Sequence, residues 1–357
     1  MIALQLRASP SPHWRWLSPL LALAVTAAVG ALLLFLLGKP VAQGLAVFFW
    51  EPLKNLRGVA ELGLKMAPLL LCALGLSLCF RANVFNIGAE GQLLAGAMTA
   101  AALALHLDGQ GLPSALALAL SLAAGMAGGM LWAGLTAFLR DWGRANEILV
   151  SLMLVYVAQL LLGWLVNGPL RDPAGYNFPQ SKMLSDALLL PVLGGSRLHP
   201  GILFALLAAI LVWLALFKTW LGFRWQVGGL APQAAKFAGF SARASLWQVM
   251  LLSGALAGLA GACEVLGPVG QLNAAISPGY GFSAIIVAWV ARLHPLGCVL
   301  ASALLALFYL GGELAQLRLG LPNAISAVFQ GVLLCALLAC DSLIRYEIVW
   351  RSRVKGA

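Results

Sequence analysis

Charge is what this chain has least of. Only 10% of its 357 residues are Asp, Glu, Lys or Arg, and just 12 are acidic, where soluble domains carry about 25%. That scarcity excludes the two or three soluble domains its length alone would allow. Histidine is as sparse: His13, His106, His199 and His294 stand far apart, so no metal site is assigned. The six cysteines, Cys72, Cys79, Cys263, Cys298, Cys335 and Cys340, lie in or at the ends of apolar segments without a C-x-x-C pair, and read as small packing residues. Also missing are G-x-S-x-G, H-E-x-x-H and G-x-x-x-x-G-K-[ST]. No catalytic residue is therefore assigned, the chain is read as no enzyme, and it has no P-loop of its own for ATP. No basic stripe interleaved with aromatics accompanies the net charge of +10, which argues against nucleic acid.

What the chain has is hydrocarbon, 62% of its residues. Uncharged runs of about 20 residues follow one another, each long enough as a helix to cross roughly 30 Å of bilayer core. Lipid offers the backbone no hydrogen-bond partner, so spanning segments are helices or closed barrels. These runs are continuous and rich in Leu and Ala, which selects helices. Ten segments are read, at 17–38, 62–80, 84–105, 112–139, 148–168, 200–221, 246–267, 280–292, 295–316 and 322–341. The first exceeds 20 residues and no A-x-A site follows its "LLGKPVAQG", the pattern of a retained anchor. The fold class expected is all-α, a polytopic helical bundle forming one transmembrane domain over 1–357.

Fourteen of the 22 basic residues fall on one side of this topology, among them Arg81, Arg140, Arg144, Arg224, Lys236 and Arg243. The positive-inside rule makes that side cytoplasmic and places both termini there. The long connection 169–199 then lies outside and 222–245 inside. Between them, "GMAGG" (Gly125 to Gly129) and "GALAG" (Gly254 to Gly258) are both G-x-x-x-G, a pattern that lets helix backbones approach closely.

Against this background "FRANVFNIGAEGQLLAG" (Phe80 to Gly96) is conspicuous, since a charge at the bilayer centre costs on the order of 3 kcal/mol. On a continuous helix Asn86, Glu90 and Ala97 would share a face, with Gly88 and Ala95 opposite; the glycines equally allow a broken helix, whose free N–H groups could bind an anion or a hydroxyl. Gln92 adds a further polar group, and Glu264 shares a face with Ser253 and Ala257 in a later segment. Two readings stay open: these residues line a route for a polar solute, or they brace the bundle by hydrogen bonds. In the inner loop, Pro232 suits a first helical turn and Gly239 suits a left-handed stop. A short helix over Pro232 to Ala238 follows, between flexible Gly228-Gly229 and Gly239. Ala234 and Ala235 leave one side of it nearly featureless, fit for a partner's groove.

"FRANVFNIGAEGQLLAGA", "GLAPQAAKFAGFSA", "LSGALAGLAGACEVLGPVGQL" and "GYGFSAIIVAWVARLHPLG" together resemble the permease subunit of bacterial ABC importers, in the branch handling nucleosides and simple sugars such as ribose. The resemblance implies a multi-pass protein of the cytoplasmic (inner) membrane that transports by alternating access. It implies that Pro232, Ala234, Ala235, Lys236 and Gly239 belong to the helix that couples to a separate ATPase subunit. Asn86, Glu90, Gln92 and Glu264 would belong to the core around the translocation path. It further implies a second related permease chain, giving a heterodimer, and an extracytoplasmic substrate-binding protein. ATP and Mg would sit on the ATPase, with no cofactor in this chain. Ala231 stands where the family carries Asn, and "SAIIVAWVAR" where "GIAVALLGR" is usual, bringing in Trp289 and Ala291. The alternative is an ion-coupled secondary transporter of a small polar solute, with Glu90 or Glu264 as its ion site.

Overall fold

The structure is a computed structural model that describes residues 2–6, 12–176, 178–322 and 324–350. It is helical apart from one ribbon of two short strands, β1 (Ile2–Leu6) and β2 (Tyr346–Trp350). The helices are α1 (Pro12–Leu36), α2 (Val41–Leu45), α3 (Glu51–Lys54), α4 (Leu56–Arg81), α5 (Ala89–Leu107), α6 (Ser114–Asp141) and α7 (Glu147–Asn167). They continue as α8 (Gly201–Lys218), α9 (Trp220–Leu230), α10 (Pro232–Phe237), α11 (Ala242–Glu264), α12 (Tyr280–Val290), α13 (Pro295–Leu319) and α14 (Ala324–Arg345). Each of the ten segments read from the sequence has its helix. Among the described residues, seven helices are long and apolar enough to cross a membrane. α5 is set apart by the Glu90 and Gln92 of its first turn, and α12 has only 11 residues.

Two compact units form, Met1–Asn55 with Leu307–Ala357, and Leu56–Ala306. In the first, β1 pairs antiparallel with β2 from Ile2↔Trp350 to Leu6↔Tyr346, so the two ends of the chain lie on the same side. The stretch after α1 coils as α2, a π-helical turn over Ala46–Trp50, and α3. That turn sends Phe48 inward, 3% exposed, to stack on Phe329 at 4.5 Å with Phe308 edge-on at 6.2 Å. Trp50 points outward.

The second unit is built around α4. Residues 66–80 of that helix are buried without interruption, the signature of a helix enclosed on all sides. α8, α11 and α12 pack on α4, while α5 and α6 both pack on α11. The two glycine motifs meet each other here. A Cβ on Gly129 would strike Gly254 and Gly258, and one on Gly96 would strike Gly258. The seam α5–α6–α11 is therefore backbone against backbone, the close approach that small residues permit.

Loop ends in this unit gather on two opposite sides, as the alternating topology requires. On one, residues 82–84, Arg140, Gly228–Gly229, Pro232 and the start of α11 surround a single cavity of about 180 Å³. On the same side Arg81 Nε donates to the Leu293 carbonyl at 2.7 Å, with its guanidinium over the Phe217 ring at 4.9 Å. On the other, Ser185 Oγ donates to Asp108 Oδ1 at 2.8 Å. There the 169–199 connection runs beside the broken end of α11, through backbone bonds Leu190 N→Leu266 O, Leu184 N→Gly270 O and Ser181 N→Leu272 O.

One local reading changes. Gly228 and Gly229 are not a flexible joint but lie inside α9; a Cβ on Gly229 would come within 2.7–2.9 Å of the Ala82–Asn83 backbone. Trp289, unusual for the resembled family, stacks on Phe80 at 5.7 Å.

Candidate functional site

The polar stretch does not continue as a helix from α4. Asn83 takes a left-handed φ of 55°, ending α4, and residues 84–88 are irregular. Irregular backbone at this depth survives only where protein satisfies it. Asn86 does part of this. Its Oδ1 accepts from Gly88 N at 3.0 Å, an Asx turn that starts α5. The Ile87 N–H is taken by Ser151 Oγ of α7 at 3.1 Å.

Because α5 begins at Ala89, Asn86 and Glu90 do not share a helix face as a continuous helix would have them. Asn86 instead pairs amide to amide with Gln92: Asn86 Nδ2 donates to Gln92 Oε1 at 3.2 Å and Gln92 Nε2 to Asn86 Oδ1 at 3.1 Å. Asn86 Nδ2 also reaches Ser253 Oγ of α11 at 3.1 Å. All three side chains are at most 1% exposed.

Glu90 turns elsewhere, to the start of α12. Its Oε2 accepts from the Gly281 N–H at 2.7 Å, and the Ser277 hydroxyl bonds to the same carboxyl group. Ser277 Oγ in turn accepts from Gly279 N and Tyr280 N, both at 3.2 Å. A carboxylate at a helix N-terminus meets free N–H groups and the positive end of the helix dipole. Gly281 leaves no space for a Cβ against the Ala89–Glu90 backbone, so α12 abuts α5 at this contact. Asn86, Glu90 and Gln92 thus sit in one joint linking α5, α7, α11 and α12.

Glu264 is not in that joint. It is the last residue of α11, within electrostatic reach of Lys65 on α4. Close by, His199 is 2% exposed between Gly201 and Gly267, both in contact with its ring. Its Nδ1 accepts from Gly201 N at 3.0 Å, and burial pulls its pKa down to about 4. Ser151, Ser277, Gly281 and His199 escaped the sequence reading. Their only signal is a lone polar residue or glycine beside an apolar run.

The short inner helix is present as α10, with Pro232 in its first turn and Gly239 at φ 77° just beyond its end. Pro232, Ala234 and Lys236 are exposed. Ala235 is not: it is 3% exposed and turned into the chain, so it does not belong to the face offered outward. The residues that stand out are Phe237, 93% exposed, and Leu230, 85%.

A helical membrane bundle with a buried, hydrogen-bonded polar joint fits a transport subunit. The chain belongs to the family described as the branched-chain amino acid transport system permease component, matched over residues 58–338, and is a permease subunit of an ABC importer in the nucleoside and sugar branch. It is 35% identical to a glucose ABC transporter permease of Haloferax volcanii, over 94% of this chain and 91% of that protein. It is 31% identical to a guanosine ABC transporter permease of Bacillus subtilis, over 96% and 97%. A nucleoside ABC transporter permease of Lactococcus lactis is 26% identical, over 89% of each. No solved structure matches. Membership makes this a multi-pass protein of the cytoplasmic membrane that works with an ATPase and a substrate-binding protein.

Proposed function

We propose that the chain forms the translocation path for nucleosides or chemically related sugars by alternating access, as one of two related permease chains. The observation that carries this reading is the similarity, over nearly its whole length, to permeases named for guanosine, nucleosides and glucose. These solutes share a polyhydroxylated ring, which a path can hold through amide, hydroxyl and carboxylate groups. The Asn86–Gln92–Ser253 network and the Glu90–Gly281 bond brace the helices around that path. Glu264, with Lys65, stands toward its outer end.

The engine lies elsewhere: a separate subunit holds ATP and Mg and docks on α10 from the cytoplasm. Both termini then lie in the cytoplasm, and the 169–199 connection faces the binding protein. Inverted membrane vesicles or proteoliposomes containing the whole importer test this with labelled guanosine and labelled glucose. ATP-dependent movement of one of these, abolished by removing the ATPase, supports the reading. Movement that survives ATP depletion and collapses with an ionophore overturns it in favour of the ion-coupled alternative.

A further inference from the structure

α7 carries two polar side chains at membrane depth that have no hydrogen-bond partner among the described residues. It has 21 residues, about 31 Å at 1.5 Å per residue. Ser151, Val155, Ala158, Leu162 and Val166 are its buried stripe. To one side of this stripe lie Leu154, Val157, Leu161 and Leu165, all aliphatic and suited to acyl chains. To the other side lie Tyr156, Gln159, Gly163 and Asn167, with Leu152 nearer the inner end, within about 80° of arc at 100° per residue; of these, Asn167 Nδ2 donates to the Gly163 carbonyl at 2.8 Å.

Tyr156 is 53% exposed and Gln159 is exposed. They lie one turn apart, about 16 and 12 Å from the outer end of the helix. Among the described residues neither the Tyr156 hydroxyl nor the Gln159 amide has a hydrogen-bond partner. Lipid tails cannot supply one, and burying an amide or hydroxyl unpaired in hydrocarbon costs several kcal/mol. Gly163 adds an independent sign, since a Cβ there would meet nothing within 4 Å. Among the described residues its missing side chain serves no contact, yet it opens the backbone to close approach from outside, as small residues do between membrane helices.

We infer that this flank of α7 seats a transmembrane helix of the second permease chain, one that brings amide or hydroxyl groups to mid-depth opposite Gln159 and Tyr156. The inference rests on the two-permease reading above and names the surface. A chain related to this one is a fitting occupant, because a glutamine amide carries both donor and acceptor and can pair with its own counterpart across a near-twofold axis.

The test uses the whole importer in native membranes. A photo-crosslinking residue is placed in turn at positions 156, 159, 154 and 161, and crosslinked peptides are identified by mass spectrometry. Adducts from 156 and 159 to a transmembrane segment of the second permease, with 154 and 161 giving lipid adducts, are expected. Adducts from 156 and 159 to lipid alone, or to this same chain, overturn the inference. Gly163→Leu supplies the second arm. With free space around it, this substitution leaves the amount of folded chain unchanged and lowers co-purified second permease several-fold; undiminished co-purification overturns the inference. If a second permease co-purifies but crosslinks only from other helices, the surface alone is wrong. If no second permease ever co-purifies, the two-permease reading fails, and this inference with it.

Discussion

Replacing Glu90 by alanine removes the acceptor used by the Gly281 N–H and leaves that donor stranded inside the bundle, a loss of about 1–3 kcal/mol. Glu90→Gln keeps an oxygen in place and loses less. In detergent, Glu90→Ala should melt clearly below the parent, with Glu90→Gln between the two, and uptake should follow the same order. Equal melting of all three would show that the Gly281 bond contributes nothing. His199 gives a pH signature from outside the spanning helices. Its pKa falls from 6.5 to about 4 on folding because burial disfavours the imidazolium. The unfolded chain therefore binds the proton more readily, so the stability contribution is complete above pH 6.5 and is lost as pH falls toward 4. The loss amounts to about 2 kcal/mol at pH 5. Melting temperature measured from pH 7.5 to 5 should drop less for His199→Asn, which does not titrate, than for the parent. Parallel curves would count against the buried-histidine account.

At the scale of elements, α10 and the glycine seam behave oppositely. Ala235 is buried, so a charge placed there disturbs the fold of the inner loop before it reaches any partner. Phe237→Ser changes only an exposed side chain. It should leave melting unchanged while weakening ATPase co-purification several-fold, and an unaltered yield of ATPase would remove Phe237 from the docking face. Gly258→Val, by contrast, forces a branched side chain against the backbones of Gly125 and Gly129. Overpacking at such a contact costs about 1–3 kcal/mol or more, and little folded protein should be recovered by fluorescence-detected gel filtration. These elements also show what was legible beforehand. Helix positions follow from apolar length, which the chain writes openly, and Pro232 with Gly239 marks α10 because both act through local backbone geometry. That the glycines here allow a broken helix was legible, but where the break falls and what closes it were not. Asn86 has its meaning from Ser253, 167 residues away, and the inward turn of Ala235 from packing that its neighbours in sequence do not encode. A helical wheel assumes a continuous helix, and the left-handed Asn83 had already ended it.

For the whole molecule, coupling is a matter of differential affinity. A partner that binds outward- and inward-open states equally shifts nothing, and moving the balance from 1:99 to 99:1 requires about a 10⁴-fold preference. The loaded binding protein must therefore prefer one state, and that preference must reach the ATPase across roughly 30 Å of bilayer. α4 and α11 have the length to carry it. α4 ends at Arg81, clamped to the Leu293 turn, and α11 begins at the cavity behind α10 and ends at Glu264. The polar joint ties α11 to α5 midway through Ser253 and Asn86. If these helices move as a unit, ATP turnover by the reconstituted importer should rise several-fold on adding loaded binding protein. Phe237→Ser should abolish that rise while leaving the basal turnover of the free ATPase intact. Asn86→Leu, which removes the polar link between α11 and the start of α5 while leaving the glycine seam, should reduce the rise without lowering ATPase yield. A turnover that ignores the binding protein in the parent importer would mean that the two sides of the membrane do not communicate through this chain.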